Sequence, residues 1–190
     1  MIQSKLICDS VTPAGQRLST SILKHDGVRD PSPDTYIIAV DPGLSGGIAE
    51  GHPSDFYRVS PMPATEPDIV ELLRTATLGH PVKNITIVIE KLPLFIPGAK
   101  ASGASMAKLH RNAGIFYGAA CALGIRVVEV DPLSWQKFFK LGGKKSAGGY
   151  TAWKNKLKAE AQRRYPKLKV THAVADALLI YEWARHQPIL

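Results

Sequence analysis

The chain predicts an α/β domain with a mixed sheet, and three observations carry that prediction. Two near-continuous apolar runs, 36–41 (YIIAVD) and 85–90 (ITIVIE), have the pattern of strands buried on both faces, and each ends in a carboxylate. Strand and helix patterns follow one another as three strands, helix, strand, helix, strand and then helices only, an order that fits layered α/β packing. At 190 residues and 45% hydrophobic content the chain is long enough for one domain with a full core, and two packed domains would be a tight fit.

Residues 1–34 are rich in Ser, Thr, Asp and Pro, hold no sustained period of 2 or 3.6, and predict an extension with little structure of its own. The first strand, Tyr36 to Asp41, breaks into Pro42, Gly43, Gly46 and Gly47. Gly47 to Glu50 and Asp55 to Ser60 read as two shorter strands joined by a turn at Gly51, His52 and Pro53, giving an antiparallel meander. Thr65 is placed to cap a helix that starts near Pro67 and ends near Gly79 to Pro81, with Ile69, Val70, Leu72 and Leu73 as its apolar face. After the strand Ile85 to Glu90 comes a loop from Lys91 to Gly103, then a long helix from about Ala104 to Leu123 that Gly124 stops. Ile125 to Val130 is another strand, and Asp131 with Pro132 opens a short helix. Leu141 to Tyr150 is a basic, Gly-rich loop, followed by a charged helix from about Thr151 to Tyr165 that closes at Pro166. Thr171 is the expected cap of the last helix, HAVADALLIYEWAR, whose Ala177, Ile180 and Tyr181 are expected against the sheet. A strand, crossover helix and strand pair in parallel with a right-handed connection. The strands ending in Asp41 and Glu90 are therefore expected side by side, with both carboxylates at one edge.

The formal charge of +8 is unevenly spread: residues 1–34 hold four bases and four acids, whereas 131–190 hold twelve Lys or Arg against four Asp or Glu. A polyanionic partner follows naturally, although a solvated basic surface gives the same count. No apolar run approaches the roughly 18 to 20 residues needed to cross a bilayer, and the start of the chain lacks a hydrophobic signal core, so a soluble intracellular protein is expected. Cys8 and Cys121 have the spacing of neither a zinc site nor a disulfide framework, which fits a reducing compartment and argues against structural zinc.

Taken alone, each candidate site residue has an ordinary reading. A strand ending in Asp-Pro-Gly is commonly a simple turn, and Glu90 is free to pair with Lys91. Asp176 is harder to dismiss, because a charge among the apolar residues of its helix needs a partner. His172, near a helix start, reads as a surface residue or a satisfied polar group.

It is the order of the segments that joins them. IAVDPGLSGG, VIEK, a long helix, VVEVDPLSWQKFF, a Lys-rich loop and HAVADALLIY together resemble the RuvC family of Holliday junction resolvases, particularly its bacteriophage and divergent branches, within the RNase H-like superfamily. The resemblance covers roughly residues 35 to 186 and implies an N-terminal extension over 1–34 and a RuvC-like nuclease domain over 35–190. It implies an RNase H-like fold with a five-stranded mixed sheet flanked by helices. It also implies a metal-dependent, structure-selective endonuclease that resolves four-way DNA by paired symmetric incisions, leaving a 5′ phosphate and a 3′ hydroxyl. Two Mg²⁺ ions, replaceable by Mn²⁺, would be held by Asp41, Glu90, Asp176 and His172. Many family members space the helix pair three apart, whereas His172 and Asp176 are four apart; both spacings keep two side chains on one helical face. Phosphodiester hydrolysis needs a deprotonated water in line with the leaving oxygen, and two metals about 4 Å apart can stabilise both. Without metal, carboxylates packed this closely would repel one another.

For DNA contacts, the resemblance directs attention to Lys137, Lys140, Lys144 and Lys145 around the Gly-rich loop, with Lys144 or Lys145 at the scissile phosphate. Lys154 and its helix neighbours would track the duplex arms, and binding would fall steeply with salt. Lys154 is equally readable as part of a solvated helix face. Phe95, in the loop after Glu90, is placed either to stack on an exposed base or to anchor the loop. Lys108 and Arg111 on the long helix are further candidates for DNA contact. That helix also carries Ala104, Ala107, Gly114, Gly118 and Ala119, which suit either a twofold homodimer, as the resemblance implies, or packing on its own sheet. The implied location is the cytoplasm of a bacterium or phage-infected cell, with organellar members of the family alike at this level.

Other readings stay open at this stage. One is an RNase H-like nuclease acting on RNA:DNA hybrids or flap DNA. Another is a non-catalytic module that holds branched DNA. A third takes DPGLSGG as the phosphate loop of an actin-like ATPase or sugar kinase, which would need a second such domain for which the chain leaves little room.

Overall fold

Alternation along the strands sorts the molecule into layers. The computed structural model describes residues 34–93 and 103–188, and its elements are β1 (Tyr36–Asp41), β2 (Gly47–Gly51), β3 (Phe56–Pro61), α1 (Glu66–Gly79), β4 (Ile85–Glu90), α2 (Gly103–Leu123), β5 (Arg126–Val130), α3 (Pro132–Phe138), α4 (Tyr150–Arg164) and α5 (His172–Ala184). The proposed extension, apart from its last residue, and Phe95 lie outside the described residues. The five strands form one mixed sheet in the order β3-β2-β1-β4-β5. The meander β1-β2-β3 is antiparallel, and β1, β4 and β5 run parallel through crossovers.

In β1, Tyr36, Ile38 and Val40 enter the core beneath α1 and α2, while Ile37 and Ala39 enter the core beneath α3, α4 and α5. β4 divides the same way, Ile85, Ile87 and Ile89 to the first core and Val88 to the second. Extending this period of two by one residue sends Asp41 and Glu90 to the α5 face. The parallel register, with Val40 beside Ile89, brings the two strand ends level.

α5 is hydrophobic nearly all round and buried from Val174 to Ala184, as a helix enclosed by neighbours must be. It lies close on β2 because that strand presents glycine. A Cβ at Gly47 would stand 2.7 Å from the Ala173 carbonyl oxygen, and one at Gly51 would stand 2.8 Å from the Tyr181 hydroxyl. α1 packs on α2 through Ile69, Leu73 and Ala76, a narrower stripe than the sequence suggested, and Val70 is 42% exposed. The Thr65 cap forms, its hydroxyl accepting from the Asp68 amide at 3.3 Å. Asp131 and Thr171 occupy cap positions without a side-chain bond to the helix. Gly124 ends α2 with φ of 70°. Cys121 is disulfide-bonded, although the spacing of the two cysteines suggested no disulfide framework and a reducing compartment. Among the described residues no helix is long and apolar enough to cross a membrane.

Candidate active site

Three carboxylates meet on the α5 face at the carboxyl ends of β1 and β4. Asp41 ends β1, and the turn behind it folds back so tightly that a Cβ at Gly46 would lie 2.2 Å from the Asp41 carbonyl oxygen and 2.8 Å from its carboxyl carbon. The Gly43 amide donates to Asp41 Oδ1 at 3.1 Å, and the Gly46 amide donates to the Gly43 carbonyl at 2.9 Å, fixing the turn. Glu90 ends β4, where the indole N–H of Trp135 on α3 donates to its Oε1 at 3.0 Å. Asp176, in the second turn of α5, is 3% exposed. Its Oδ2 is ion-paired with Lys154 of α4, and its Oδ1 is buried with no hydrogen-bond partner among the described residues.

Electrostatics tie the three together. Burial, and then the charge of Asp176, raises the pKa of Asp41 above the usual carboxylate range, opposed by the Gly43 amide and Lys154. Glu90 is pushed up to about 7 by burial and by Asp41, with a smaller push from Asp176, against the Trp135 N–H and Lys154. Burial works against the Lys154 ammonium, but Asp176 outweighs it and leaves that pKa raised. An open cavity of ≈ 690 Å³ adjoins this cluster, bordered by Asp41, the Gly43–Gly46 turn, Tyr150, Lys154 and the start of α5.

No family model matches the chain, and no curated protein matches it. Among solved structures, T. thermophilus RuvC in complex with Holliday junction substrate aligns with a TM-score of 0.54 and 12% identity, over 78% of this chain and 91% of that one. This chain has the RuvC fold. A second structure of Thermus thermophilus RuvC aligns with a TM-score of 0.47 and 14% identity, over 78% of this chain and 92% of that one.

On this RuvC fold the remaining sequence candidates fall into separate places. His172 borders the cavity one turn before Asp176, exposed, with its Nε2 2.9 Å from Asn155 Oδ1. Lys154 is not on a solvated face: its side chain is 29% exposed and turned to the carboxylates. The Lys144 ammonium lies 5.6 Å from the centroid of the Tyr150 ring, and Lys145 is exposed in the same loop. Lys137 and Lys140 are exposed at the end of α3, outside the cavity lining. Lys108 and Arg111 border a second cavity of ≈ 480 Å³ between α1 and α2, where Arg111 pairs with Glu66 at 2.6 Å. Asn112, beside them, donates to the Pro42 carbonyl at 2.9 Å and so ties α2 to the turn after Asp41. Gly114 and Gly118 lie on the outer side of α2, where an added Cβ would meet nothing within 4 Å among the described residues; they do not pack on the sheet. Sequence reasoning missed Trp135, whose bond to Glu90 spans 45 residues, and Tyr150, which borders the cavity between Lys144 and Lys154.

The donor set suits a hard divalent cation: three carboxylates, two with raised pKa values, and one buried oxygen without a partner among the described residues. Among the described residues no three His, Cys, Asp or Glu side chains yet have the spacing of a coordination shell. Each carboxylate is engaged instead by its own partner, Asp176 by Lys154, Glu90 by Trp135 and Asp41 by Gly43.

Proposed function

We propose that this chain is a metal-dependent, structure-selective endonuclease that cuts four-way DNA junctions. The observation that supports this most strongly is the convergence of Asp41, Glu90 and Asp176 beside an open cavity on a chain with the fold of RuvC, a protein solved with a Holliday junction substrate. Asp41, Glu90 and Asp176 would hold two Mg²⁺ ions, with His172 next in line on the cavity rim. The ions would supply positive charge to the attacking and leaving oxygens of the phosphodiester. Trp135 fixes the direction of Glu90, and the Gly43–Gly46 turn fixes Asp41. Lys144 and Lys145 neutralise backbone phosphates at the cavity mouth, and Lys137, Lys140, Lys108 and Arg111 extend that positive surface. Paired symmetric incisions require two copies of the site, so the active species is a homodimer, with the exposed small-residue side of α2 as the first face to test.

The experiment is cleavage of a synthetic four-way junction with and without Mg²⁺. Asp41→Asn, Glu90→Gln and Asp176→Asn should each abolish cleavage while gel-shift binding stays nearly intact. Two of the three cutting at the wild-type rate would overturn the assignment. Parallel digestion of an RNA:DNA hybrid and a flap separates junction resolution from a general RNase H-like activity.

A further inference from the structure

We infer that Lys154 is a built-in counter-cation of the carboxylate site, a positioning residue that holds Asp176 in the metal-free protein and must be exchanged for the divalent ion when metal binds. This role rests on the metal-dependent reading of the site and adds a determinant of metal affinity to it.

Lys154 belongs to a helix rich in lysine, yet among those lysines it alone is ion-paired with a described carboxylate. Lys156, two residues on, is exposed, whereas the Lys154 ammonium is ion-paired with Oδ2 of a 3% exposed Asp176. The other oxygen of Asp176 is buried and has no hydrogen-bond partner among the described residues. Lysine therefore satisfies half of the carboxylate: it neutralises the charge without filling the acceptor capacity. Its ammonium also lies 5.9 Å from the ring of Tyr150, which borders the same cavity, so the cation stands where the carboxylates open to the outside. An ammonium and a divalent cation compete for the same carboxylate oxygen, and their like charges repel. Metal loading must open the ion pair, and that opening lowers the apparent affinity. Without the lysine, Asp176 would be a buried and unpaired anion, which proteins tolerate poorly.

Mn²⁺ binding to the full chain without DNA, read by electron paramagnetic resonance titration, tests this directly. Lys154→Met should bind Mn²⁺ about tenfold more tightly than wild type, the scale of opening a partly buried ion pair, and should melt at a lower temperature when metal-free. Lys154→Arg, which keeps the charge, should restore affinity to within about threefold of wild type. Lys144→Met removes an equal charge near Tyr150 without touching Asp176 and should change affinity by about twofold or less. If Lys154→Met fails to fold, Lys154→Gln serves in its place. Mn²⁺ binding that is no tighter in the uncharged variant than in wild type overturns the inference and leaves the nuclease reading standing. Failure of both wild type and variant to bind Mn²⁺ overturns the metal-dependent reading itself, and the role of Lys154 with it.

Discussion

Asp41 is held by what Gly46 lacks. A real Cβ does not approach a carbonyl oxygen to 2.2 Å, and here the neighbouring contact, at 2.8 Å, is the Asp41 carboxyl carbon itself. Neither atom belongs to a flexible side-chain end that could swing away, so a methyl group at this position must displace the turn or the carboxylate. Gly46→Ala should therefore lower stability by about 1–3 kcal/mol, the usual range for overpacking. It should lower junction cleavage by about 100-fold, since a displacement on the order of 1 Å has that effect on a reacting geometry. Gly143→Ala, in a position where an added Cβ meets nothing within 4 Å among the described residues, should leave both unchanged. Urea melts and single-turnover cleavage of the two variants give the comparison; equal behaviour would remove Gly46 from the account of the site.

At the scale of elements, what was legible in the sequence follows from how local each signal is. β1 and β4 begin and end where their apolar runs do, at Tyr36–Asp41 and Ile85–Glu90, because strands buried on both faces carry no charged residue until the site itself. α5 is legible for the same reason, with Asp176 conspicuous among apolar neighbours. α4 is different. Its buried residues Trp153, Leu157 and Ala161 form a stripe one residue wide, so the sequence leaves open whether Lys154, at the stripe's edge, faces water or core. Packing of α4 against α5 decides it, through an ion pair that spans 22 residues. The bond from Trp135 to Glu90 spans 45 and had no local signature either. The loop before α4 exposes Lys144 and Lys145, with the Lys144 ammonium 5.6 Å from the ring of Tyr150, which borders the cavity. If both touch phosphates, the double variant Lys144→Ala, Lys145→Ala should bind a junction more weakly and shrink the slope of log affinity against log salt by about 2, at about 0.9 for each phosphate no longer neutralised. A slope equal to that of wild type would confine these lysines to solvation.

For the whole molecule, the sheet and α5 deliver three negative charges to one buried edge, and that arrangement opposes folding when no cation is bound. Glu90 shows the sign. Its pKa rises from 4.5 in the unfolded chain to about 7 in the folded one, chiefly through burial and Asp41. Below about 4.5 the group is protonated in both states. Between 4.5 and about 7 the unfolded chain releases the proton first, so stability falls as pH rises, and above about 7 the loss is complete. The full shift corresponds to about 3 kcal/mol, an upper bound for a partly buried group. Other carboxylates act in the opposite direction; Glu160, for example, is held low by Arg163 and Arg164. The Glu90 contribution must therefore be read as a difference between variants. Glu90→Gln keeps an acceptor for Trp135 and removes the charge, so in metal-free buffer at about pH 8 it should melt several degrees above wild type, at about 2–4 °C per kcal/mol for a chain of this size. At about pH 5, where Glu90 is neutral in the folded protein and only the unfolded chain still releases the proton, the gap should shrink to roughly a quarter of its size at pH 8. Mg²⁺ at the higher pH should raise the melting temperature of wild type and leave that of Glu90→Gln nearly unchanged, because an ion that binds only the folded state stabilises by mass action and needs the carboxylate to do so. Differential scanning calorimetry at the two pH values, with and without Mg²⁺, measures all of these effects. A wild type more stable than Glu90→Gln at the higher pH without metal would mean that the clustered charges are already compensated, and the site would then be an ion-pair network that strengthens the fold.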